Sequence, residues 1–158
     1  MASNGPGTSQ EEFKWKARVS WVTGERSVAY SRNNSFLIEK QASFKEKDPH
    51  PSAIEYLLGA LGGDIAAGFQ TVAPRFGVSI EALEISLSGQ LNNSLTMLGV
   101  IGEAGHPGLE TIEGRIFIST EATEEKIEKV WQSVQDRSPL FNTLKRAVKL
   151  DFSLVIVL

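Results

Sequence analysis

Apolar and polar residues alternate at the start of the chain, with Phe13, Trp15, Ala17, Val19 and Trp21 on one side and Lys14, Lys16, Arg18 and Ser20 on the other. A period of two marks a half-buried strand, because successive side chains of an extended backbone leave opposite faces. Thr23-Gly24-Glu25 reads as a turn, Ser27 to Ser31 as a short second strand, Asn33-Asn34 as another turn and Ser35 to Phe44 as a third strand, so the first third is an antiparallel meander. The period then changes. Ile54, Leu57, Leu58, Leu61, Ile65, Phe69 and Val72 recur at spacings of three and four, the pattern of one face of a long buried helix. Pro51 suits its first turn, and Pro74 with Gly77 marks its end. Its other face is built from Gly59, Ala60, Gly62, Gly63, Ala66, Ala67 and Gly68. A mid-helix glycine costs roughly 0.5–1 kcal/mol relative to alanine, so four of them point to close approach by another backbone.

Alternation returns from Ile80 to Leu91, with Leu83, Ile85 and Leu87 inward, and from Leu109 to Ser119 through Ile112, Ile116 and Ile118, which predicts two further strands. The loop between them repeats glycine at Gly99, Gly102, Gly105 and Gly108 but lacks the Lys-Ser/Thr ending of a phosphate-binding P-loop. Thr123 followed by Glu124 and Glu125 opens a helix with an N-cap and an acidic first turn, and Ile127, Val130, Trp131 and Val134 form its apolar stripe. Ser138-Pro139 caps a second helix carrying Leu140, Leu144 and Val148, and Phe152 to Leu158 closes the chain as a buried strand. Strands, a helix, more strands and more helices make the class α+β rather than a doubly wound parallel sheet.

Composition narrows the function. The 158 residues are 41% hydrophobic with a net charge of −3, which excludes a wholly disordered chain and gives no strong field for nucleic acid or anionic lipid. Residues 1–11 read as a disordered tail ahead of a single domain over 12–158. They carry neither the basic start nor the apolar core of a secretory signal, and no apolar run approaches the ~20 residues of a membrane span, so a cytoplasmic location is expected. The absence of cysteine removes disulfides, thiolate metal sites and thiol catalysis together.

Three segments resemble the OsmC/Ohr family, the osmotically inducible and organic hydroperoxide resistance proteins. Val22-Thr-Gly-Glu-Arg26-Ser-Val-Ala-Tyr30 is similar to the family's strand–turn–strand, with a functional Arg after the turn. His50-Pro-Ser-Ala-Ile-Glu-Tyr-Leu-Leu-Gly-Ala-Leu-Gly-Gly-Asp64 resembles the central-helix motif P-x-E-L-L-x-A-L-G-G-C, which ends on the peroxidatic cysteine. Arg137-Ser-Pro-Leu-Phe-Asn-Thr-Leu144 resembles the C-P-V-x-x-T-L stretch of the resolving cysteine. The resemblance implies an OsmC-like fold: antiparallel sheets wrapped around long central helices in an intertwined homodimer, with two pockets at the subunit interface. In the family the pocket reduces organic hydroperoxides with a thiolate, an Arg that stabilises it and a Glu that holds the Arg. Here Asp64 stands at the first cysteine position and Ser138 at the second, and only Arg26 is retained. The Glu position of one branch falls on Ile54, and Glu55 matches the Glu of others.

The only charged side chain between Tyr56 and Phe69 is Asp64, in a stretch whose periodicity says it is buried. A buried carboxylate seeks a cation, and Arg26 is the expected partner. Ser138 before proline is also an ordinary helix N-cap. Three functions follow. A non-catalytic dimer would bind a small apolar or amphipathic ligand through Arg26, Glu55, Tyr56, Asp64 and Ser138. An enzyme of another type would use Asp64 as general acid or base. A structural accessory subunit would have a collapsed pocket. No metal or cofactor is expected, since His50 and His106 lie beside prolines in loops and match no metal-ligand spacing. Asn33-Asn34-Ser35 and Asn92-Asn93-Ser94 fit the glycosylation pattern but read as turn chemistry. Trp15, Trp21 and Trp131 are expected to pack in the core.

Overall fold

The computed structural model describes residues 13–40 and 49–157. The 1–11 tail, the end of the expected third strand and Leu158 lie outside them. The chain divides into two compact units, Met1–Ala53 and Ile54–Leu158.

In the first unit, β1 (Arg18–Thr23), β2 (Arg26–Ser31) and β3 (Asn34–Ile38) form an antiparallel sheet in the order β1-β2-β3. Gly24, at φ 58°, turns β1 into β2, and Trp21 Nε1 donates to its carbonyl oxygen at 2.6 Å. Arg32 takes the left-handed conformation at the next turn, with φ 54°. β1 begins later than the alternation predicts because Arg18 pairs with Tyr30 near the end of β2, so Phe13 to Ala17 run past the partner strand. The face bearing Val19 and Trp21 is not half-buried in the chain. Trp15 and Trp21 are 84% and 77% exposed, which corrects their expected place in the core.

The second unit packs helices on one face of a three-stranded sheet. Its elements are α1 (Ala53–Val72), whose first residue closes the first unit, a 3₁₀ turn (Ala73–Phe76), β4 (Ala82–Leu91), the short α2 (Ser94–Met97), β5 (Leu109–Ser119), α3 (Glu124–Arg137), α4 (Pro139–Leu144) and β6 (Lys149–Val157). Pro51 precedes α1 rather than starting it, and its carbonyl accepts the Glu39 amide at 3.0 Å. Pro74 converts the end of α1 into the 3₁₀ turn, and Gly77, at φ 65°, ends it. The sheet order is β4-β5-β6. β4 runs antiparallel to β5, but β5 and β6 are parallel, joined by the crossover through α3 and α4. β6 is half-buried rather than buried, because its alternate residues leave the sheet on the face the helices do not cover.

Leu61, Ile65, Phe69 and Val72 of α1 meet Ile112, Ile116 and Ile118 of β5 and the α3 stripe Ile127, Val130, Trp131 and Val134. Trp131 stacks on Phe69 with ring centroids 5.8 Å apart and meets Phe141 edge-on at 5.8 Å. Gly114 lies between Leu87 and Phe152 on neighbouring strands, and a Cβ there would fall on the Phe152 ring. Thr123 holds the N-cap position of α3 through its backbone carbonyl, which accepts from Ile127, while its hydroxyl caps nothing. Val148 lies beyond α4, which ends at Leu144. The Asn92–Asn93 pair is turn chemistry: the Asn93 side chain caps α2 through the Leu95 amide, and that of Asn92 accepts from the His106 amide at 3.1 Å.

One glycine of α1 has its reason inside this core. A Cβ on Gly68 would lie 2.7 Å from Val134 Cγ1, and the β-branched Val134 is fully buried. Gly68→Ala is therefore expected to destabilise the fold by about 1–2 kcal/mol despite alanine's better helix propensity. Val134→Ala in the same chain should recover part of the Gly68→Ala cost, and urea titration of the single and double variants measures it. A stabilising Gly68→Ala would show that this contact is not tight.

Candidate functional site

α1 places Asp64 five residues before Phe69, and the break between α3 and α4 places Ser138 opposite it. Ser138 is simultaneously the C-cap of α3 and the N-cap of α4, and Pro139, which lacks an amide proton, starts the second helix. The Ser138 hydroxyl donates to Asp64 Oδ2 at 2.5 Å, and the Leu140 amide donates to the same oxygen at 3.0 Å. The Ser138 oxygen in turn accepts the Phe141 amide at 3.0 Å. Ser138 is 4% exposed. The carboxylate thus satisfies one of the orphan amides of the first turn of α4, and the serine another. The N-cap reading of Ser138 holds, and the fold brings the same residue onto Asp64. Asp64 Oδ1 takes no donor among the described residues.

Arg26 opens β2 in the other unit. Its Nε donates to Glu39 Oε2 at 3.2 Å and its Nη2 to Oε1 at 3.4 Å, with the Glu39 side chain 13% exposed. The carboxylate that holds Arg26 is therefore Glu39, where the sequence reading expected Asp64. Each of the two residues finds its polar partner inside its own unit. The hairpin register makes the choice: Ser27 pairs with Ile38, so the next rung sets Arg26 across from Glu39. That rung was the available signal, once the turn is placed at Arg32-Asn33 instead of Asn33-Asn34.

Glu55 lies on the exposed side of the first turn of α1, and Tyr56 beside it is half-buried. Nine residues separate Glu55 from Asp64, about two and a half helical turns, so the two carboxylates leave opposite sides of the helix. His106 is exposed, with Nδ1 accepting from the Gly108 amide at 3.1 Å, and His50 is half-buried. Among the described residues no group of three or more metal-ligating side chains converges, and no helix is long and apolar enough to cross a membrane.

The family model described as OsmC-like protein matches residues 45–153, more than half of the chain and the stretch that carries Asp64 and Ser138. The chain belongs to the OsmC family. The fold is similar to that of an OsmC-like protein from Mycoplasma pneumoniae, with a TM-score of 0.79 and 20% identity over 92% of this chain and 98% of that one. It is also similar to an organic hydroperoxide resistance protein from Elizabethkingia anophelis, with a TM-score of 0.68 and 10% identity over 91% of this chain and 98% of that one. The organic hydroperoxide resistance protein of Bacillus subtilis aligns with a TM-score of 0.61 and 14% identity over 89% of this chain and 98% of that one. No curated protein matches the sequence. This OsmC-family chain has no cysteine, and its Asp64 carboxylate and Ser138 hydroxyl are hydrogen-bonded to each other.

Proposed function

We propose that this OsmC-family chain binds its ligand without turning it over: a cytoplasmic homodimer, each copy one OsmC-like domain over 12–158, that holds a small apolar or amphipathic molecule at the subunit interface in a response to oxidative or osmotic stress. The observation that carries the reading is the Asp64–Ser138 hydrogen bond. Cleaving a peroxide O–O bond in the family's manner needs a thiolate and a second thiol to close a disulfide, and neither a carboxylate nor a hydroxyl supplies them. Asp64 instead presents Oδ1 to a ligand while Oδ2 holds α4 in place.

Support for the dimer comes from α1. Gly59, Ala60, Gly63 and Ala67 face outward, and a Cβ on Gly59 or Gly63 would meet nothing within 4 Å. Contacts among the described residues give these two glycines no purpose, whereas a second helix packed backbone to backbone does. The uncovered Val19, Trp15 and Trp21 are a further apolar surface that a second copy would bury. In such a dimer Asp64, Ser138 and Tyr56 of one copy and Glu55 of the other contribute to the pocket.

Native mass spectrometry of the purified chain tests both parts. A dimer carrying an adduct mass that disappears in Asp64→Ala is the expected result. An empty dimer would retire the ligand, and a monomer would retire the whole reading.

A further inference from the structure

A cavity lies at the far end of α1, wholly inside the Ile54–Leu158 unit, and Asp64 is not among its lining residues. Phe69, Gln70, Ala73, Pro74, Val78, Ser79, Ile80 and Leu83 line it, around a volume of about 530 Å³. That size falls in the range of small-molecule sites. Its walls are fixed from behind. Phe69 is stacked on Trp131, the Val78 amide donates to the Ala73 carbonyl at 3.0 Å, and Thr120 Oγ1 donates to the Ser79 carbonyl at 2.6 Å. Gln70 and Ser79 are the polar side chains of the lining, both exposed, and neither makes a side-chain hydrogen bond to a described residue.

We infer that this cavity is a binding site for a neutral small molecule with an apolar body and a single hydroxyl or amide head. The body lies against Pro74, Ile80 and Leu83, the apolar lining residues with exposed surface, above the buried Phe69, Ala73 and Val78, and the head takes hydrogen bonds from Gln70 and Ser79. The lining contains no charged side chain, so an ionised ligand would lose its hydration with nothing to replace it. The rigid walls favour a small ligand, since little ordering entropy is spent in forming the site. This inference does not depend on the dimer or on Asp64.

The test is titration of the full chain with n-octanol followed by amide and methyl NMR. The expected result is saturable shifts centred on Phe69, Ala73, Val78, Ile80 and Leu83. Octanoate should bind about tenfold more weakly, as should n-octanol to Ser79→Phe, which fills the mouth. Gln70→Glu, which places a carboxylate at the exposed rim, should weaken n-octanol similarly and serves if Ser79→Phe does not fold. Shifts that fail to saturate, shifts centred on Gly59 to Ala66, or octanoate binding as well as n-octanol would each overturn the assignment.

Discussion

Trp131→Ala should cost about 3–5 kcal/mol of stability, the largest effect expected of any single truncation in this chain. The indole is 6% exposed and touches three other rings: Phe69 stacked from α1, Phe141 edge-on from α4 and Phe152 tilted at 5.6 Å from β6. It therefore ties together the helix that carries Asp64, the helix that Ser138 caps and the edge strand of the sheet. Truncation removes its buried area and leaves a cavity that three fixed rings cannot collapse into. Trp15→Ala and Trp21→Ala, at exposed positions, should each cost well under the Trp131 value. Guanidinium titration of the three variants gives the comparison. A Trp131 variant no less stable than the Trp21 variant would mean that the aromatic cluster does not hold the second unit together.

Asp64→Ala is expected to cost about 2–3 kcal/mol, because it leaves both the Ser138 hydroxyl and the Leu140 amide without an acceptor at the start of α4. Asp64→Asn keeps an acceptor oxygen in the same place and should lose about half as much or less. Ser138→Ala removes the donor to Asp64 and the acceptor of the Phe141 amide, and should cost about 1–2 kcal/mol. If the three groups form one tie, the Asp64→Ala, Ser138→Ala double variant will be less destabilised than the sum of the singles. Additive losses, or an Asp64→Ala chain within about 0.5 kcal/mol of the parent, would show that the carboxylate is not a structural anchor.

The tie is insensitive to redox chemistry, because neither a carboxylate nor a hydroxyl forms a disulfide. A carboxylate accepting from a hydroxyl and an amide keeps the connection between α1 and α4 whatever the redox state.

Much of the architecture was legible in the residues. The 3.6-residue spacing from Ile54 to Val72 marked α1 almost to the residue, and the alternation of Leu109 to Ser119 marked β5, because both elements bury one face against the same core. Ser138-Pro139 announced the cap of α4 through local chemistry alone. Misreadings arose where a partner, rather than a pattern, sets the outcome. Phe13 to Ala17 alternate but have no strand beside them, and β6 lies parallel to β5 because α3 and α4 carry the chain across the helical face. Trp15 and Trp21 have the composition of a core, yet both are largely exposed among the described residues.

The candidate site divides in the same way. By itself the sequence determined that no thiol chemistry is available and that a lone carboxylate sits on an apolar helix. Those are properties of residue type and local spacing, which survive without any knowledge of packing. Only the tertiary structure decided which groups satisfy the charges. Asp64 and Ser138 are 74 positions apart and meet because α1 and the α3–α4 corner pack on one core, while the β2–β3 register gives Arg26 to Glu39. A buried or half-buried charge is stabilised by whichever partner the fold brings within hydrogen-bond reach, and that proximity is set by long-range packing that no local pattern encodes.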